Sequence, residues 1–298
     1  MNKGILFVIL AYATWGFFPP FFKTMQGVPA FQIMAHRVVW SFLFLAVVTL
    51  IRREGRPLMK AITPRIAGLY AIAGVLLAIN WVTYVYGVNE GFVLEASLGY
   101  FINPLVSILL GVVFLHEHLR PLQWLPVILA AIGVTYLTIS MGQLPWIALV
   151  LALSFGLYGL MKKIAPLPTL QGLTMETGAI FLPALAFLLF EQARGVGAFV
   201  NAGTDTSLLL ASAGVVTAVP LLFFASGARV IPLTTVGLLQ YITPTAQFLL
   251  GVLLYHEPFT RERAVGFAII WTALAIFTFE NLLHRSSVRR VNIPAPTK

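Results

Sequence analysis

The chain has 298 residues, of which 59% are apolar and only 10% charged. Soluble domains carry roughly a quarter charged residues, so this composition excludes an ordinary soluble enzyme and makes lipid the solvent for most of the chain. The absence of cysteine excludes disulfides, thiol catalysis and cysteine metal sites. A net charge of +9 leaves nucleic-acid binding to be judged by where the charges fall.

Runs of about 20 apolar residues are read as spanning helices. Ten are expected, near 4–22, 30–51, 67–87, 93–115, 121–140, 145–162, 170–191, 207–227, 233–255 and 262–283. Barrel strands would instead alternate in polarity over about ten residues, and no such alternation is present. The first run follows Lys3 like a signal peptide, but Trp15, Phe17, Phe18, Pro19 and Pro20 stand where a small-residue cleavage site is needed. A retained helix is expected. The residues after 283 are polar and proline-containing, and 284–298 are expected to form a disordered cytoplasmic tail.

The fourth run, LEASLGYFINPLVSILLGVVFLHE from Leu94, recurs as TTVGLLQYITPTAQFLLGVLLYHE from Thr234. Pro104 pairs with Pro244 at an offset of 140 (244 − 104), as do Gly111 with Gly251 and Glu117 with Glu257. The same offset matches Thr14-Trp15-Gly16 to Ser154-Phe155-Gly156 and Ala73-Gly74-Val75 to Ala213-Gly214-Val215. The chain therefore reads as two copies of one membrane unit, 1–141 and 142–283. Five helices is an odd number, so the second copy must enter the bilayer from the opposite side.

Charge tests the inversion independently. Residues 52–66 carry five Lys/Arg, whereas their counterparts 192–206 carry only Arg194. With the N-terminus cytoplasmic, fourteen basic residues fall inside and four outside, the asymmetry that orients inner-membrane helices. The basic excess is topology, and no nucleic-acid partner is expected. Inverted repeats are typical of secondary transporters, whose sites lie near the midplane at the repeat interface.

Two such repeats, each with a proline thirteen residues before a glutamate at the end of its fourth helix, resemble the EamA branch of the drug/metabolite transporter superfamily. The string SLGYFINPLVSILLGVVFLHEHL, with YATWGFFPPFFK and AHRVVWS, looks like the RarD subfamily over roughly residues 3–283. The resemblance implies an all-α permease of ten helices with both termini cytoplasmic. It also implies a central cavity framed by helices 1–4 and 6–9, with helices 5 and 10 peripheral.

Polar groups inside the spans are costly and mark function or bracing. Arg37 lies about 10 Å deep at 1.5 Å per residue, facing a substrate or snorkelling to the outer headgroups. His36 is a candidate proton relay or a packed polar residue. Glu176 takes the place of His36 in the second copy, as a coupling or structural carboxylate. Gate-like ion pairs are expected between Arg37 and Glu90 or Glu95 on the outer side, and between Glu176 and Arg229 on the inner side. Asn103-Pro104 and Thr243-Pro244 break two helices at corresponding places, a pointer to a transporter site, although each can be a packing kink alone. Tyr100, Gln240 and Tyr241 would supply polar groups there, and Trp15, Asn80, Trp81 and Tyr84 an aromatic wall.

No metal or cofactor is expected. HExxH fails because Arg120 and Thr260 stand where the second histidine belongs, and no phosphate-binding GxxxxGK[ST] occurs. The expected function is a secondary transporter of small metabolites or drug-like solutes working by alternating access. A lipid flippase or channel is the alternative, and an integral membrane enzyme fits least because the acidic groups are scattered. The partners are a small-molecule substrate and the lipid bilayer, with a homodimer left open.

Overall fold

The structure is a computed structural model, and it describes residues 2–25, 27–89, 93–140 and 146–254, with 261, 264–266, 268–269, 271–273, 275–277 and 279–280. The junction expected at 141–142 and the tail 284–298 lie outside the described residues. In hydrocarbon every backbone N–H and C=O must be satisfied within the protein, and this chain meets that demand with helices. They are α1 Lys3–Gly16, α2 Phe18–Lys23, α3 Ala30–Ile51, α4 Gly55–Ala61, α5 Pro64–Asn89 and α6 Val93–Leu115. There follow α7 Pro121–Ser140, α8 Trp146–Ile164, α9 Thr169–Ala193, α10 Thr204–Ala228, α11 Leu233–Leu239 and α12 Ile242–Leu253. Seven helices among the described residues are long and apolar enough to cross a membrane, and a shorter apolar helix spans Pro121–Tyr136.

Several boundaries follow from proline. Residues 29, 168 and 232 are prolines at the N-caps of α3, α9 and α11, where a fixed φ and a missing N–H cost nothing. The first expected span is divided into α1 and α2 at Phe17, with two prolines opening α2. The expected breaks at the paired prolines differ. Helix α6 continues through Pro104, whereas the second copy breaks at Gln240-Tyr241, between α11 and α12. The short α4 in the basic 52–66 connection was not expected as a helix.

Leu50, Ile51, Leu109, Phe114, Leu182 and Leu208 are all more than half exposed. Apolar faces of that extent are stable against lipid tails rather than water. The interior packs through close helix approaches. A Cβ on Gly74 of α5 would lie 2.4 Å from the Glu176 carbonyl oxygen on α9, and one on Gly214 of α10 equally close to the Trp40 backbone on α3. Ser41 next to it donates from Oγ to the Gly214 carbonyl at 3.0 Å. Gly16 faces Ala246, and Gly156 faces Val106; those two contacts are related by the sequence offset of 140 at both ends. The Tyr241 hydroxyl donates to the carbonyl of Phe101, its own counterpart, at 3.2 Å.

The ends of the bundle can be told apart. Helix α3 runs from the 24–29 connection to the 52–54 turn. Near its start, Gln32 accepts from the Ala198 N–H at 2.7 Å and donates to the Val196 carbonyl at 2.9 Å. The 194–203 connection and the 52–63 segment therefore stand at opposite ends of α3. At the 52–63 end, Thr49 and Thr174 share a hydrogen bond of 3.0 Å, and Gln171 donates to Glu54 at 3.3 Å. There too Glu117, just past α6, accepts from the Leu233 and Thr234 N–H groups at 2.6 and 2.9 Å. It caps α11 by taking two of the N–H groups that a helix start leaves unsatisfied.

Candidate functional site: a cavity between the two halves

The main cavity among the described residues has a volume of about 670 Å³. It is lined by Tyr12 and Trp15 of α1, Phe18 and Phe22 of α2, and Arg37 of α3. Asn80, Trp81 and Tyr84 of α5, with Tyr100 and Asn103 of α6, form a second side. Phe155 of α8, Thr217 and Leu221 of α10, and Gln240, Thr243 and Gln247 around the α11–α12 break complete it. Met25, Gly27, Val28 and Pro29 also line it, so the cavity reaches the 24–29 end of the bundle.

Eight of the expected site residues meet here: Trp15, Arg37, Asn80, Trp81, Tyr84, Tyr100, Asn103 and Gln240. Three do not. His36 is buried against the Phe199 ring, 5.3 Å between centroids, because one residue along a helix turns a side chain by about 100° away from Arg37. Tyr241 is fully buried in its bond to Phe101. Glu176 lies deeper, nearer the other end. The prolines themselves stand beside the cavity, and it is their neighbours Asn103 and Thr243 that reach it.

Arg37 is the only charged side chain among the described lining residues. Its Nε donates to Thr217 Oγ1 at 3.0 Å and its Nη1 contacts the Met34 sulfur at 3.2 Å. The guanidinium carbon lies 4.6 Å from the centroid of the Trp81 ring, 4.9 Å from that of Phe22 and 5.8 Å from that of Phe18. A central arginine costs about 2.5–3.5 kcal/mol on insertion scales. Each cation–π contact returns about 0.5–2 kcal/mol, so three rings offset much of that without neutralising the charge. The Glu90 and Glu95 side chains proposed as its partners lie outside the described residues.

Below the cavity the packing is aromatic. Trp15, Phe155 and Phe224 sit 5.4–5.6 Å apart between ring centroids, with Tyr12 against Trp15 and Tyr158 stacked on Phe224. Under this layer the Glu176 carboxylate accepts from Lys162 Nζ at 2.5 Å and from the Tyr158 hydroxyl at 3.0 Å, all through Oε1. The partner expected for Glu176 was Arg229. Instead Arg229 donates to the Leu167 carbonyl, and the Leu167 N–H donates to the Tyr70 hydroxyl at 3.0 Å. Lys162 sits four residues after Tyr158 on one face of α8, at the helical spacing that aims both at one carboxylate.

Sequence reasoning missed Lys162, which it had counted only among the cytoplasmic-side cations, and also Tyr12, Phe155, Thr217 and Gln247, and it named Thr243 only as part of a helix break. Repeat position was the available signal for two of them, since Phe155 answers Trp15 and Thr243 answers Asn103 at the 140 offset. Three lining groups carry a buried oxygen with no hydrogen-bond partner among the described residues: Tyr12 Oη, Asn103 Oδ1 and Gln240 Oε1.

A family model described as the EamA-like transporter family matches the chain twice, over residues 2–139 and 144–279. The chain belongs to that family. It is 46% identical to "Uncharacterized transporter YojE" of Bacillus subtilis over 94% of this chain and 95% of that protein. It is 44% identical to "Protein RarD" of Escherichia coli, again over 94% and 95%. "Chloramphenicol-sensitive protein RarD" of Pseudomonas aeruginosa is 27% identical over 97% and 98%. A solved crystal structure aligns with a TM-score of 0.72 over 93% of this chain and 98% of that one at 19% identity, a likeness of fold alone. This is a multi-pass membrane protein of a transporter family.

Proposed function

We propose that this chain is a secondary transporter that moves a small solute across the inner membrane by alternating access, not an enzyme. In this reading ten spans form two inverted five-helix repeats, 1–141 and 142–283, with both termini cytoplasmic. One observation carries it: a cavity of about 670 Å³, lined from both halves, reaches the 24–29 end and is backed at the other by aromatic packing and a buried ion pair. Such a cavity is accessible from one side and blocked from the other, the property that alternating access requires. The basic 52–66 segment lies at the blocked end, which under the positive-inside rule is cytoplasmic. The arrangement thus corresponds to an outward-facing state.

The family supports transport, and the chain holds no phosphate-binding loop, so energy comes from an ion or solute gradient. A channel or flippase fits less well, because a channel needs a continuous polar path where Trp15, Phe155 and Phe224 pack together. The test is solute flux in proteoliposomes, with and without an imposed pH gradient and without ATP. Saturable counterflow is the expected result; flux that rises linearly with concentration and shows no counterflow would refute a carrier. Impermeant labelling that found 52–66 and 192–206 on one side of the membrane would refute the inversion.

A further inference from the structure

Resting on the transport reading, the geometry points to a substrate class for the cavity: a planar aromatic organic anion carrying a neutral hydrogen-bond donor as well as its acid group. The first part follows from charge. Arg37 is 8% exposed, lines the cavity, and among the described residues meets only a hydroxyl, a thioether and three aromatic rings. A thioether is a weak acceptor and a hydroxyl carries no charge, so the guanidinium keeps its positive charge inside a low-dielectric wall. A carboxylate is the group that answers it, through charge-assisted and bidentate hydrogen bonds. No described lining residue is acidic, so among the described residues a ligand ammonium would meet one cation and no counter-charge. The class is therefore a net anion, not a zwitterion or an amine.

The second part follows from shape and from orphaned acceptors. Trp15, Trp81, Tyr84, Tyr100 and Phe155 give the cavity flat apolar walls, which suit a planar ring. Tyr84 and Tyr100 meet edge-on at 5.7 Å, holding one wall rigid. Asn103 Oδ1 and Gln240 Oε1 are buried acceptors lacking partners among the described residues. Buried polar atoms normally find a partner, and a ligand O–H or neutral N–H donates to such oxygens. Arg37 on α3, and Asn103 and Gln240 on α6 and at the α11–α12 break, thus call for two distinct functional groups on the ligand.

The probe set is 4-hydroxybenzoate, 4-hydroxybenzamide and tyramine, which keep a phenol and change the charge of the other end. Binding is read by quenching of tryptophan fluorescence in the purified full-length chain in lipid nanodiscs. The acid is expected to bind at least tenfold more tightly than the amide, with tyramine weakest. Arg37→Gln should abolish the preference for acid over amide, and Arg37→Lys should restore part of it. Three results would overturn the inference: amide or amine binding within twofold of the acid, an acid preference surviving in Arg37→Gln, or no binding of any probe. Tyramine binding that disappears in Glu95→Gln would also overturn it, by giving the cavity an acidic side. The wild-type comparison does not depend on any variant folding. Flux in proteoliposomes separates the two readings: acid-selective binding without flux refutes transport and leaves the anion site, and flux without acid preference does the reverse.

Discussion

Glu176 and Lys162 offer the sharpest test of how the bundle is held beneath the cavity. Glu176 is fully buried, Lys162 is 3% exposed, and their atoms lie 2.5 Å apart. One carboxylate oxygen takes both the lysine and the Tyr158 hydroxyl, leaving Oε2 without a partner among the described residues. Removing one member of a buried pair strands the other charge in a dry interior, at a cost of about 3–5 kcal/mol. Replacing both by neutral groups of similar size removes the stranded charge, and the loss of a whole buried pair is often far milder than the loss of one member. So Glu176→Gln and Lys162→Met should each lower the melting temperature by roughly 5–8 °C, taking about 1.6 °C per kcal/mol from an unfolding entropy of about 2.1 cal/mol/K per residue over 298 residues. The double variant should melt far closer to wild type than the sum of the two. The assay is thermal unfolding in one detergent, completed as a double-mutant cycle and repeated with Arg229→Gln in place of Lys162→Met. Coupling to Lys162 should exceed coupling to Arg229. Additive single effects, within about 0.5 kcal/mol, would refute the pairing and the reasoning built on it.

Two further outcomes are expected. Gly214→Ala places a methyl group 2.4 Å from the Trp40 backbone, and overpacking at such a crossing costs about 1–3 kcal/mol; a variant melting within 1 °C of wild type would show that α3 and α10 are free to part. The absence of native cysteine makes the chain ready for single-cysteine labelling. Thr217→Cys in the cavity should react with an impermeant thiol reagent from the side of the 24–29 connection, while Thr174→Cys, bonded to Thr49, should stay protected from that side. The reverse pattern would contradict the outward-facing reading.

The sequence made the membrane class and the repeat plain because both are written in composition and spacing, which survive without knowledge of packing. Arg37, Asn80 and Trp81 were legible because a polar or aromatic group deep in a span has few roles open to it. The partner of Glu176 was not. Lys162 lies near the end of its span, where lysine ordinarily snorkels to water, and only its contact with Glu176 on α9 shows that it points inward. Helix continuity at Pro104 was equally hidden, since proline removes one hydrogen bond and leaves neighbouring helices to decide whether the chain bends or breaks. His36 shows the limit of adjacency: it shares Arg37's depth and faces away from it.

The glycine crossings have a consequence for motion. Gly74 meets Glu176, whose repeat counterpart is His36 (176 − 140), yet Gly214 meets Trp40 and Ser41. The two crossings, equivalent by the 140 offset, are thus out of step by four to five residues, roughly 6–7.5 Å along a helix axis. A twofold machine that exchanges its two faces would trade these settings, bringing Gly214 towards His36 and Gly74 towards Ile180. The ratchet is then one helical turn long, and spin-label distances between α3 and α10 that stay fixed while access reverses would rule it out.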